Sequence, residues 1–312
     1  MRCKCFTDDV TQEANYFILY EKNVKYLSKK WKILRNNKKC CDNLGIVIKF
    51  SYEFSCKLES SCDITFLTEA DMIIDMHSHI LPKIDDGSKS IETSIEMLRE
   101  SGRQGVELMV ATPHFYADAK RIEKFLEERQ KAAADLKARI ADMDEALPVF
   151  ICGAEVAFFD GISKAEKADL LTIEGTKLLL IEMPFESWSD SVMEEIRRLI
   201  FKRGFTPVIA HVERFFSFKG NPDRIRELTE LPLYIQMNGE ALEDFWHKSR
   251  YLSMLKKDQI HLLGTDCHGM HRRPPNLLKA REYIARKAGQ EVLDRIDKLG
   301  EALLFQSHEQ TD

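Results

Sequence analysis

The chain has 312 residues, 44% hydrophobic and 31% charged, the balance of a soluble globular protein with room for one large α/β domain or two smaller ones. A formal charge of −5 argues against a nucleic-acid binder, which carries a basic excess, and no apolar run approaches the roughly 20 residues of a membrane span. The start, Met1-Arg2-Cys3-Lys4-Cys5-Phe6, lacks the apolar core of a secretory signal, so a cytoplasmic location is expected, with no nucleic-acid partner and no membrane insertion.

Residues 1–71 differ from the rest. They hold six of the eight cysteines (Cys3, Cys5, Cys40, Cys41, Cys56, Cys62), the basic stretches Lys29-Lys30-Trp31-Lys32 and Lys38-Lys39, and one strand-like run, Ile46-Val47-Ile48-Lys49-Phe50. No Cys-x-x-Cys occurs and no export signal is seen, so the cysteines read as free thiols, neither a zinc site nor a disulfide framework. This segment is expected to be an N-terminal extension, either an accessory piece or upstream sequence ahead of a true start at Met72. The functional domain is expected over 72–312.

From Met72 onward short apolar runs alternate with amphipathic ones. The pattern predicts strands over 73–76, 108–111, 149–152, 178–183, 206–210, 233–236 and 261–264. Helices are predicted over 90–102, 119–143, 190–202, 222–228, 242–255, 275–287 and 291–304. Seven strand–helix units in one run favour a parallel βα barrel over two packed domains.

Each predicted strand runs into ligand-type residues. The first ends in His77-Ser78-His79, which strand alternation sends out together, followed by Asp85-Asp86-Gly87. The others lead to Thr112-Pro113-His114, Glu155, Glu182, His211-Val212-Glu213-Arg214, Met237-Asn238-Gly239 and Asp266-Cys267-His268, with Arg272-Arg273 after the last. Taken singly, His114 reads as a helix cap, Asp85-Asp86-Gly87 as an ordinary turn, and Glu155 and Asp266 as caps or surface residues. Glu182 lies within an apolar run, where an unpaired carboxylate is costly. Bland readings would have to hold independently at nearly every strand end, so a metal or phosphate site is the better account. His247, His261, His271 and His308 have no such setting and are expected to be structural or superficial.

These motifs resemble the PHP (polymerase and histidinol phosphatase) superfamily and, within it, the bacterial manganese-dependent protein-tyrosine phosphatases of capsule and exopolysaccharide synthesis, the CpsB kind. The matching residues are Asp75-Met76-His77-Ser78-His79-Ile80-Leu81-Pro82, Ile84-Asp85-Asp86-Gly87, Ala111-Thr112-Pro113-His114, Ala210-His211-Val212-Glu213-Arg214, and Asp266-x-His268 with Arg272-Arg273-Pro274-Pro275. The resemblance covers Met72 to about Phe305. It implies a distorted seven-stranded (βα)7 TIM-like barrel of the PHP type with three divalent ions, manganese foremost and iron, cobalt or zinc as alternatives. It also implies hydrolysis of phosphotyrosine on a protein by a metal-activated hydroxide, the partner being a tyrosine kinase of polysaccharide assembly; the oligomeric state stays open.

Carried over by motif, His77, His79, Glu155 and Asp266 would surround one metal. Glu155 would bridge to a second, held also by Glu182 and His211, and Asp86, His114 and His268 would hold the third. Arg214 and Arg273 would bind phosphate. Asp85 competes with Asp86 as ligand, the motif favouring Asp86, and Glu213 is catalytic or supporting. Three other readings compete: a small-molecule PHP phosphatase such as a histidinol-phosphatase, a non-catalytic PHP module, and an amidohydrolase, which would want a lysine where Glu182 stands. A cysteine mechanism has one formal foothold, Cys267-x5-Arg273, although that loop lacks a glycine-rich anion cradle.

Overall fold

The structure, a computed structural model, describes residues 72–305. The expected strand at Ile46–Phe50, the six early cysteines and His308 lie outside these residues. Strands are β1 (Ile74–Ser78), β2 (Leu108–Ala111), β3 (His114–Phe115), β4 (Val149–Cys152), β5 (Glu155–Ala157), β6 (Leu178–Glu182), β7 (Thr206–Ile209), β8 (Tyr234–Asn238) and β9 (Leu262–Gly264). Helices are α1 (Ile91–Arg103), α2 (Ile122–Ala141), α3 (Asp190–Arg203), α4 (Asn221–Leu228), α5 (Lys248–Lys256), α6 (Leu277–Ala288) and α7 (Gln290–Phe305).

Every strand pairing is parallel. One sheet runs β1-β2-β4 and the other β3-β5-β6-β7-β8-β9. Nine strands stand where seven are expected, because two short ones, β3 and β5, follow β2 and β4 beyond the predicted runs. Thr112-Pro113 separates β2 from β3, where proline has no N–H to give the ladder, and Gly153-Ala154 separates β4 from β5. After each break the chain pairs afresh, so that His114 lies directly opposite Glu155. His114 is therefore a strand residue and caps no helix.

The sheet is curled. One apolar cluster gathers Ile74 and Met76, Leu108 and Val110, Ile151, Leu178 and Leu180, Val208, and Leu262, which only the concave side can bring together. Leu304 of α7 joins the same cluster. The alternate residues, among them Met109, Phe150, Leu179, Ile181, Ile209, Ile235 and Leu263, pack beneath the helices. Beyond the last strand, Asp266 donates its N–H to the His77 carbonyl at 2.8 Å and His79 donates to the Cys267 carbonyl at 3.0 Å. The C-terminal ends of β1 and β9 thus lie side by side.

The expected helix over 242–255 is shorter. A 3-10 turn at Gly239–Glu243 precedes it, and α5 starts only at Lys248. Asp244 explains the gap: its carboxylate accepts the Trp246 N–H at 2.9 Å and touches the His247 ring at 2.6 Å, local bonds that compete with helix.

Candidate metal centre

All the strand-end residues singled out above emerge at the C-terminal edge of the sheet. His77 and His79 turn inward although Met76 does too, against strict alternation. The β1–β2 register is irregular between Asp75 and Ser78, and such a bulge re-aims side chains. The two imidazole Nε2 atoms stand 3.2 Å apart. Glu155 Oε2 lies 3.3 Å from each, and Asp266 Oδ1 lies 3.7 Å from His77 Nε2 and 3.2 Å from His79 Nε2. All four side chains are buried.

Three overlapping groups of ligand-type atoms result, each within 4.8 Å: His77, His79, Glu155 and Asp266; His114, Glu155 and Glu182; and His79, His114 and His268. His211 adds to the second, its Nε2 2.7 Å from Glu155 and 3.4 Å from Glu182. Asp86 adds to the third, its Oδ1 3.5 Å from His114 and 3.3 Å from His268. Two of these residues stand on left-handed backbone, His211 at φ 31° and Asp266 at φ 51°, conformations that non-glycine residues keep where the surroundings enforce them.

The donor set fits divalent cations. Glu155 Oε2, Asp266 Oδ1 and His268 Nε2 are buried with no hydrogen-bond partner. Ligand atoms around one ion at about 2.1 Å stand roughly 3.0–3.4 Å from one another, close to the spacings here. The opposite nitrogens of three histidines are already committed. His77 Nδ1 is 3.2 Å from Gln236 Oε1, His79 Nδ1 is 2.7 Å from Asp85 Oδ2, and His268 Nδ1 is 2.8 Å from the Asp266 carbonyl. Fixing Nδ1 this way leaves each Nε2 lone pair for a cation.

Electrostatics agrees. Burial works against a charged Glu155, yet His77, His114 and His211 hold its carboxyl well below the usual range. Burial also opposes charge on His79, but Asp266, Asp85 and Glu155 keep its proton bound well above the ordinary pH. His268 goes the other way, pushed down to about 4 by burial and by His79. A cluster that holds protons against burial to balance its carboxylates is one in which metal ions can take the protons' place.

Asp85 and Asp86 are told apart by their surroundings. Both Asp85 oxygens are occupied, Oδ2 by His79 and the His114 N–H at 3.0 Å, and Oδ1 by the Gly87 N–H at 2.9 Å. Asp86 instead faces His114, His268 and, at 3.5 Å, Arg273. Arg214 and Arg273 (3.0 Å) both rest on Asp266 Oδ2, which also accepts from Asn238 Nδ2 at 3.1 Å. One Asp266 oxygen is thus held by three donors and the other is turned to the histidines.

Glu213 stands outside the three groups. It lines a cavity of about 530 Å³ with Arg214 and Glu240, and its Oε2 accepts the Asn238 N–H at 3.3 Å.

Residues 73–301 match the family described as capsular polysaccharide synthesis, CpsB/CapC. The chain belongs to the CpsB/CapC family. Among curated CpsB/CapC relatives it is 34% identical over 236 residues to the tyrosine-protein phosphatase CpsB of Streptococcus pneumoniae, covering 70% of this chain and 91% of that one. It is 30% identical over 239 residues to the tyrosine-protein phosphatase YwqE of Bacillus subtilis, covering 74% and 91%. A chain from the crystal structures of YwqE and of S. pneumoniae CpsB, described as unique metal-dependent tyrosine phosphatases, superposes with a TM-score of 0.66 at 28% identity, covering 74% of this chain and 94% of that one.

Sequence reasoning missed several residues that stand in this candidate site. Gln236 touches His77 and accepts the His211 N–H at 2.7 Å, while its amide donates to Asn238 Oδ1 at 2.9 Å. The available signal was Gln236-x-Asn238, two polar residues at strand spacing in an apolar run. In the sequence Asp75 stands out only as part of the motif that carries His77 and His79. Buried, and pushed up to about 6 by that burial, it accepts the N–H and hydroxyl of Thr265 at 2.8 and 2.6 Å, tying β1 to the loop that carries Asp266. Cys267 is fully buried, and burial pushes its thiol well up, the opposite of an activated nucleophile. His261 is structural, its Nδ1 accepting the Ile235 N–H at 3.0 Å, and His247 and His271 are superficial.

Proposed function

We propose that this chain is a metal-dependent tyrosine-protein phosphatase acting in capsular or exopolysaccharide synthesis. The observation that carries the reading is the pair of buried, hydrogen-bond-orphaned oxygens of Glu155 and Asp266 turned on two imidazole nitrogens, with two arginines behind them. His77, His79, Glu155 and Asp266 would hold one ion, Glu155, Glu182 and His211 a second, and Asp86, His114 and His268 a third, manganese being the ion we favour. When bound, such ions lower the pKa of a water to about 7 and offset the charge of the phosphoryl group.

The remaining work falls to the protein. Arg214 and Arg273 present planar forks that match two phosphate oxygens, which a lysine cannot do. Asp85 fixes the His79 ring, and Gln236 does the same for His77. We assign Glu213 a positioning role through Asn238, whose side chain holds Asp266. A phenolate leaves readily, so the demand on a proton donor is small.

The two sheets with the β1–β9 contacts support a closed seven-stranded (βα)7 barrel, β2–β3 and β4–β5 each counting as one interrupted strand. We further propose that 72–312 form the phosphatase domain with 1–71 as an extension, that the protein works in the cytoplasm, and that its substrate is a tyrosine kinase of polysaccharide assembly. Among the described residues no helix is long and apolar enough to cross a membrane.

The test is phosphate release from a phosphotyrosine peptide by wild type, His79→Ala and Cys267→Ser. Wild type and Cys267→Ser are expected to be active within about threefold of each other. His79→Ala is expected to lose about 100-fold or more, since changing only the partners behind metal ligands typically costs about 10–100-fold. Activity that dies with Cys267 and survives in His79→Ala would overturn the mechanism.

A further inference from the structure

Two exposed aromatic rings stand against the candidate ligands, and the mechanism above uses neither. Tyr116 follows β3 directly, is 41% exposed, and packs on the His114 ring with centroids 5.3 Å apart. Phe185 follows β6, is 54% exposed, and lies 6.3 Å from the His211 ring and 5.2 Å from Phe215. Singly exposed rings are ordinary, but two that flank one ligand cluster offer apolar faces to a group bound over it.

Their placement says what that is. β3 pairs with β5 and β5 with β6, so the strands that the two rings follow stand two positions apart, about 10 Å at roughly 4.8 Å per strand. Glu155 opens the intervening β5, and Glu182 ends β6. A third aromatic ring between two others needs two intervals of roughly 4.5–7 Å, which that spacing supplies. A phosphoryl group placed over Glu155 and Glu182 would bring the ring of its ester into this gap. Phosphoserine, with a single methylene in place of the ring, would leave both aromatic faces wet.

The geometry points to Tyr116 and Phe185 as the two walls of a slot that grips the phenyl ring of phosphotyrosine and sets selectivity against aliphatic phosphate esters. The inference rests on the phosphatase reading above and adds to it the origin of substrate choice. The walls bind and orient the ring, and neither takes part in bond making. Tyr116 acts through its ring face, so its hydroxyl is dispensable.

The experiment compares kcat/KM for two peptides of one sequence, carrying phosphotyrosine or phosphoserine, in manganese-loaded wild type, Tyr116→Leu/Phe185→Leu, and Tyr116→Phe/Phe185→Tyr. Both sites are partly exposed and leucine keeps them apolar; elemental analysis of bound metal reads whether the cluster stays intact. In the leucine variant the tyrosine-to-serine selectivity ratio is expected to fall about tenfold or more, chiefly through a higher KM for phosphotyrosine, with metal content kept. The aromatic replacements are expected to hold the wild-type ratio within about twofold. An unchanged ratio in the leucine variant, or equal losses on both peptides, would overturn the slot and leave the phosphatase reading standing. No hydrolysis of either peptide by wild type would overturn that reading, and the slot with it.

Discussion

Asp85 illustrates how one carboxylate outside the proposed ligand set can fix it. It holds His79 by Nδ1, His114 by the backbone and Gly87 by the backbone. Burial alone would raise its pKa, but His79 brings the carboxyl down to about 2. The sign follows: a folded-state pKa below the unfolded value of about 3.9 gives stability that is complete above that value and lost as pH falls toward 2. Denaturant titrations of wild type and Asp85→Asn at several pH values should therefore show the variant weaker at pH 5, with the gap narrowing between about pH 4 and 2. A gap that widens on acidification would contradict the pairing. Asp85 and Asp86 were adjacent and alike in the sequence. Only their partners separate them, and those partners arrive from β3 and from the segment after β9.

At the scale of elements, two glycines allow the edges to meet. A Cβ on Gly264, the last residue of β9, would stand 2.7 Å from His77 Cβ and 2.8 Å from Gln236 Nε2. A Cβ on Gly87 would stand 2.5 Å from His79 Cβ. Gly264→Ala should displace His77 and cost about 100-fold in phosphotyrosine turnover, the scale of an ångström's misplacement, while far-ultraviolet circular dichroism stays near wild type. Wild-type turnover in that variant would contradict the packing. The last two helices are joined by a buried bidentate pair, Arg281 to Asp297 at 2.7 and 2.6 Å. Asp297→Ala would take away the carboxylate that a buried guanidinium holds through two bonds, so it should lose about 3–5 kcal/mol of stability in equilibrium denaturation.

Strand periodicity placed seven of the nine strands of the described chain within a few residues, because apolar runs bounded by polar ends carry their own signal. What escaped it depended on neighbours. Nothing local announces that the chain after Pro113 and after Ala154 pairs afresh as β3 and β5, nor that a bulge in β1 lets His77 face the same interior as Met76. The helix over 242–255 was overextended because Asp244 spends its carboxylate on local turns. The ligand-type residues were legible by type and strand-end position, and the family resemblance supplied their grouping. Gln236, Tyr116 and Phe185 escaped notice, since a glutamine in a strand or an exposed ring has meaning only through what stands beside it.

For the whole molecule, the proposed catalysis would depend on metal ions gathered at the C-terminal edge of a curled parallel sheet. The measurement that tests this most directly follows phosphotyrosine-peptide turnover and bound metal on the same sample, as chelated protein is titrated with manganese. Activity that is absent at the start and rises with bound metal, levelling as the three groups of ligands fill, is the predicted result. Full turnover by protein shown to be metal-free would contradict it.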